Sequence, residues 1–176
     1  MATAVHSREI VALRDGTAVV IRPIRGDDAP RLQALVRRFS AETAFFRFLE
    51  LKRELSDAEA ERLANVDYRD QMAFVAVVEA DGDDRIVGVA RYAPVQPVEP
   101  GVAEFAIAIE DAYQRRGLGR ILFQRLVRYA RAHGIHTFLG FVRQENVRMM
   151  RFLEFSGLAI EGIKFDRGVW EVRLKL

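Results

Sequence analysis

In VAEFAIAI (residues 102–109) the side chains alternate strictly: Phe105, Ile107 and Ile109 fall on one side, Glu104, Ala106 and Ala108 on the other. A period of two predicts a strand. Two longer stretches read as hairpins. EIVALRDGTAVVIRPI (9–24) turns at Asp15-Gly16, a pair that tolerates positive φ, and QMAFVAVVEADGDDRIVGVARY (71–92) turns at ADGDD.

Helical spacing takes over elsewhere. GDDAPRLQALVRRFS begins with aspartates and Pro30 and repeats apolar residues at Leu32, Leu35, Val36 and Phe39. SAETAFFRFLE predicts a shorter helix, and SDAEAERLANV opens with the reciprocal Ser56–Glu59 capping pair. Residues 117–133 are amphipathic, with Leu118, Ile121, Leu122, Leu126, Tyr129 and Ala130 along one stripe. The strand HTFLGFV, the helix NVRMMRFLEFSG and two strands near 158–164 and 169–175 follow. APVQPVEPG (93–101) holds three prolines and predicts a loop. Strands mixed with helices, with hairpins at both ends, give an α/β or α+β fold on a mixed sheet. Residues 1–8 read as a loose tail and 9–176 as one domain.

Composition narrows the function. Half of the 176 residues are apolar, enough for a full core. The net charge of +2 gives no global attraction to nucleic acid or an acidic membrane. The charge is uneven, however: Met1 to Ile109 carries 14 basic and 18 acidic residues, Glu110 to Leu176 carries 13 and 7. There is no cysteine, hence no disulfide and no thiolate metal site. The opening MATAVHSREI lacks a charged leader followed by an apolar run, and no apolar stretch is long enough to span a bilayer. A cytoplasmic protein with no membrane partner is expected.

The basic half begins at QRRGLGR (114–120), which opens the longest helix. Glycine weakens helices and like charges repel, so stability gives no reason for the cluster. A helix N-terminus presents unpartnered amides and positive dipole, and glycines let backbone approach an anion. The amides of Arg115 to Arg120 therefore suit a pyrophosphate; on the residues alone, a merely basic turn stays open. A P-loop is excluded for want of Gly-Lys-Ser/Thr. A dinucleotide fingerprint fits badly, because Leu122 stands where a third glycine is needed.

The ordered set AEFAIAI, QRRGLG, a long helix, HTFLGFV and NVRMMRFLEFSGL resembles the acetyl-CoA-binding core of the GNAT superfamily of N-acetyltransferases. Gln114, Gly117 and Gly119 satisfy its loop pattern; Asn146, Gly157 and Leu158 match its second signature. LRDGTAVVIRPIRGDD, RELSDAEAERLANVDY, MAFVAVV and IVGVARY extend the likeness to the acetyltransferase domain of bacterial protein lysine acetyltransferases. Those proteins often join this domain to an acyl-CoA-synthetase-like or cyclic-nucleotide-binding domain, and neither is seen in this sequence.

The resemblance implies a mixed central sheet with two splayed parallel strands, flanked by helices. It implies acetyl-CoA as co-substrate and no metal, with Gln114 in the cofactor-binding loop and the pyrophosphate on the amides of Arg115, Arg116, Gly117, Leu118, Gly119 and Arg120. The pantetheine arm would pair with Ile107, Ala108 and Ile109 and touch Asn146 and Met149. For Asn146 an ordinary N-cap role stays open beside that one. The family commonly places a catalytic glutamate on this strand, which points to Glu104 as general base. A lysine amine is mostly protonated at neutral pH, and partial burial would raise the carboxyl pKa. A solvated strand-edge carboxylate is the plainer reading of Glu104. A backbone N–H at Ile107 or Ile109 would hold the oxyanion. Many of these enzymes carry a tyrosine acid where this chain has Leu153, leaving Tyr92 and Tyr113 as substitutes.

His133 and His136 are spaced like metal ligands, but a turn at Gly134 explains them. Arg120, Arg125, Arg128 and Arg131 read as a solvated helix face rather than a nucleic-acid contact. The expected activity is acetyl transfer to a protein lysine, with a small amine as the alternative acceptor. A non-catalytic acetyl-CoA-sensing module is a third reading. The oligomeric state is open, a dimer included.

Overall fold

The computed structural model describes residues 7–79 and 82–176. Most of the expected tail and two residues of the ADGDD turn therefore lie outside the described residues. The first hairpin is β1 (Glu9–Ala12) and β2 (Ala18–Pro23), turned at Gly16 with φ 84°. Three helices follow: α1 (Ala29–Arg37), α2 (Ala41–Phe48) and α3 (Asp57–Ala64). Pro30 lies in the first turn of α1, where its missing N–H costs nothing. Ser40 caps α2, and the Ser56–Glu59 box caps α3 in both directions.

The second hairpin is β3 (Met72–Val78) and β4 (Arg85–Pro94). Here the sequence reading needs one correction. APVQPVEPG predicts a loop from Ala93 onward, yet Ala93 and Pro94 pair with Glu104 and Ala103 as the end of β4. At a strand end, proline's lost donor is tolerated. Then come β5 (Val102–Ile109), α4 (Leu118–Ala132), β6 (Thr137–Arg143) and α5 (Val147–Glu154), and a closing hairpin, β7 (Ala159–Asp166) with β8 (Val169–Lys175).

All eight strands join one sheet in the order β1-β2-β3-β4-β5-β6-β8-β7. Helices cover both faces. Leu118, Leu122, Leu126 and Tyr129 of α4 pack with Phe74, Tyr92, Phe105 and Phe138 on one side. Leu32, Leu35 and Val36 of α1 and Ala60 and Ala64 of α3 pack with Val75, Val77 and Val89 on the other. This double cover explains why MAFVAVV reads as a continuous apolar run: both faces of β3 are buried. Gly88 makes room for α4, since a Cβ there would lie 2.8 Å from Ile109 Cδ1 and 3.3 Å from both Leu118 Cδ2 and Leu122 Cδ1.

One ladder is interrupted. β5 and β6 run parallel and pair only at Val102–Thr137, Ala103–Phe138 and Glu104–Leu139. Beyond Glu104, β5 keeps its bonds to β4 but loses β6. The wedge is aromatic: the Phe105 ring stacks on Phe138 and lies over Gly140, where a Cβ would fall 2.7 Å from Phe105 Cε1. The mixed sheet is thus split along one edge, with helices on both sides.

Candidate active site

The split opens into a cavity of about 690 Å³, in the size range of small-molecule sites. Ile107, Ala108 and Ile109 form one wall, Arg115, Gly117, Gly119 and Arg120 the mouth of α4, and Asn146 and Met149 the start of α5. Of the candidate cofactor residues, these nine therefore meet around one space. Gln114 lines it too, but its side chain is committed to the framework. Its Nε2 donates to Ile109 O (3.0 Å) and Thr43 Oγ1 (3.1 Å), and its Oε1 accepts from Arg148 Nη1 (2.9 Å).

The remaining two turn elsewhere. Arg116 pairs with Asp15 at 2.6 Å and covers the Tyr113 ring, and Leu118 is buried in the core. Only their backbone stays with the loop. That loop is curled by two left-handed residues, Arg115 at φ 61° and Gly117 at φ 89°. The arginine pays for this geometry with backbone strain of about 1 kcal/mol or more, as observed strain at binding sites often does. No side chain caps α4, whose N-cap is Gly117 itself. The first-turn amides are left without the usual side-chain acceptor.

Charge follows the same logic. Six arginines line the cavity (Arg14, Arg47, Arg115, Arg120, Arg148 and Arg151) against two acids, Glu42 and Glu145. None of the six forms a salt bridge among the described residues, whereas Arg38 and Arg85 both pair with the buried Glu110. A cofactor bearing three phosphates matches such a surplus.

Asn146 serves as the N-cap of α5, its Oδ1 accepting from Met149 N at 3.1 Å. Its amide nitrogen remains for another partner. Behind the loop, Asp111 ties α2 in place: it accepts from Ser40 Oγ (2.6 Å) and Thr43 Oγ1 (3.0 Å). Burial pushes the Asp111 carboxyl up, and these donors outweigh it, so it sits below the ordinary aspartate value.

A second cavity, of about 60 Å³, lies across the split and contains Glu104 with Phe105, Ala106, Gly140 and Phe141. Phe46, Arg47, Ile107, Asn146 and Met149 line both spaces, so the two meet at the splay. The Glu104 side chain keeps access to solvent, yet desolvation raises its carboxyl above the ordinary glutamate value while Arg47 pulls it back. The alternative acids fare differently. Tyr92 is fully buried with its hydroxyl donating to Arg69 O at 2.9 Å, and its pKa is raised by desolvation. Neither Tyr92 nor Tyr113 lines either cavity. His133 and His136 flank Gly134 (φ 80°) and bond to Tyr129 O and Thr137 Oγ1; among the described residues no three His, Asp or Glu side chains gather as a metal site.

Sequence reading missed Arg14, Phe46, Arg47, Arg148 and Arg151. Arg14 and Arg47 come from β1–β2 and α2, remote in the chain from the loop motif, and carry no local signal. Arg148 and Arg151 sit inside the NVRMMRFLEFSG helix that was recognised only by its ends.

Residues 36–157 match the acetyltransferase (GNAT) family. Acetyltransferase PA5475 of Pseudomonas aeruginosa is 42% identical over 125 residues, 71% of this chain and 66% of that protein. The L-methionine sulfoximine/L-methionine sulfone acetyltransferase of the same species is 29% identical over 105 residues, 58% of this chain and 61% of that one. The chain spans about half to two thirds of the length of the curated relatives it matches. The GNAT domain of S. lividans PAT superposes with a TM-score of 0.83 at 28% identity, covering 96% of this chain and 97% of that one.

Proposed function

The chain belongs to the acetyltransferase (GNAT) family, and on that premise we propose that it moves acetyl from acetyl-CoA to a lysine Nε of a protein, by direct attack with both substrates bound. The observation that carries this reading is the meeting of two cavities at the splay, with Glu104 in the smaller one. The larger, arginine-lined cavity suits the carrier. The α4 mouth takes the diphosphate on backbone amides from Arg115 to Arg120, and the unpaired edge of β5 pairs with the amides of the pantetheine arm.

Acetyl-CoA supplies an activated acetyl group as a thioester. Glu104 takes a proton from the acceptor ammonium, since only the neutral amine has a lone pair to attack with. Its raised carboxyl suits that exchange better than an ordinary surface glutamate. The N–H of Ile107 or Ile109 holds the developing negative oxygen. No side chain is assigned to protonate the thiolate, which leaves readily without help.

Resemblance of the sequence to the acetyltransferase domain of bacterial protein lysine acetyltransferases favours a protein acceptor. A small amine is the second reading, favoured by the 29% identity to an enzyme named for two amino-acid analogues. Calorimetric titration with acetyl-CoA tests the cofactor site. Gly117→Glu is expected to weaken binding at least roughly tenfold, because it sets a carboxylate against the diphosphate. Equal affinity would remove the loop from the site. Incubation with acetyl-CoA and cell lysate, read by mass spectrometry, tests the acceptor: newly acetylated lysines are expected, and their absence alongside intact binding would leave the small amine.

A further inference from the structure

We infer that the acceptor carries a carboxylate close to its reacting amine, and that this carboxylate seats on Arg47, with the buried Arg91 adding uncompensated positive charge on the same face of the sheet. The inference rests on the acetyl-transfer reading and names its acceptor class. The register places Arg91 opposite Ala106 and Ala93 opposite Glu104, so Arg91, Ala106 and Glu104 share one face of β4–β5. Arg47 reaches the same place from α2 and lines both cavities. Arg91 lines neither cavity, and its charge acts on Arg47 from the same face of the sheet.

Both guanidiniums are short of counter-charge. Arg91 is 8% exposed, and among the described residues its one hydrogen bond goes to Leu63 O at 3.3 Å. Its charged neighbours are Arg47 and Arg62, both of its own sign; desolvation, with these two, pushes it down to about 10. Arg47 lies over the Phe48 ring and, among the described residues, forms no salt bridge; the acid whose charge acts on it is Glu104. Buried charge without a partner is costly, and the chain avoids it elsewhere on this face of the sheet. Arg22, just as buried, has a bidentate partner in Asp28 at 2.7 and 2.8 Å.

Glu104 cannot serve as that partner while it collects a proton, since protonation removes its charge. A carboxylate on the acceptor supplies the missing charge to the planar fork of Arg47. Arg47, Glu104 and Ala106 line the smaller cavity together, so a carboxylate on Arg47 lies beside the proposed base. The carboxylate has two sources: the acidic neighbour of a lysine in a peptide, or the α-carboxylate of a free amino acid.

Initial rates at saturating acetyl-CoA, followed by thiol release, test both. One arm compares a lysine peptide flanked by glutamates with its glutamine twin. The other compares L-methionine sulfone with its carboxamide. In the arm holding the true source, kcat/KM is expected to fall about tenfold or more on loss of the charge, mostly through KM. Arg47→Gln brings the ratio towards one, and Arg47→Lys keeps part of it. Because each ratio is taken within one preparation, partial unfolding does not alter it. Ratios near one in both arms for the unmodified chain overturn the inference and leave acetyl transfer standing. If nothing is acetylated, the transfer reading fails, and the seat is judged by melting the coenzyme A-bound protein with the same compounds. A Tm rise from the charged member alone, lost in Arg47→Gln, supports it; equal Tm values overturn it.

Discussion

Glu104 is under two opposed influences, desolvation raising its carboxyl and Arg47 lowering it, and the first prevails. Two expectations follow at this one position. Glu104→Gln lowers kcat by roughly a hundredfold or more, the range of general-base catalysis. With Glu104 as the proposed base, the acidic limb of the rate profile of the unmodified protein is expected above the ordinary glutamate value, because a base must be ionised. Stability runs the other way. A raised carboxyl pKa gives a contribution present below the unfolded value and lost as pH rises through the folded one. Glutamine removes that loss, so melting at neutral pH should show a Tm equal to or above the parent's. A variant that loses both activity and Tm would instead mark Glu104 as structural. Glu104 itself was legible from strand alternation and family likeness together. Its neighbour Arg47 was not, because a residue on α2 gives no sequence sign of facing β5.

Among the elements, strands and helices were readable from period and caps, but their arrangement was not. Nothing in HTFLGFV announces that Gly140 must stay bare for Phe105; only the family resemblance implied a splay. Gly140→Ala puts a methyl 2.7 Å from the ring, so Phe105 or the strand must move. Overpacking of this kind costs about 1–3 kcal/mol, to be read by denaturant unfolding. Since the ring wedges β5 from β6, acetyl transfer should fall by more than the loss of folded protein explains. Unchanged turnover per folded molecule would show that the wedge does not shape the site. The end of β4 was misread for a related reason: Pro94 is a loop residue by composition, and only its pairing with Ala103 makes it strand.

Across the whole molecule, the helical layers are joined to the sheet by apolar packing and by one deeply buried ion pair. Asp28, at the entry to α1, is 0% exposed and grips Arg22 of β2 with both oxygens. Burial pushes its carboxyl up, but the Arg22 hydrogen bonds prevail and hold it below the ordinary aspartate value. A lowered carboxyl pKa stabilises above the unfolded value, and that stability is lost as pH falls through the folded one. Asp28→Asn strands a buried guanidinium and is expected to cost about 3–5 kcal/mol in urea unfolding. A loss well under 1 kcal/mol would mean that water takes the aspartate's place. The pair was invisible in the sequence, where Arg22 is one polar residue within the apolar run of a hairpin.

The loop at the mouth of α4 is held from outside its own motif. Arg14 N donates to Arg116 O at 3.1 Å, and Asp15 receives the Arg116 side chain across 101 positions of chain. A fragment running from β5 to α5 would possess every letter of the signature while missing the clamp that bends it. The motif is therefore a component of its receptacle, and the receptacle belongs to the assembled chain.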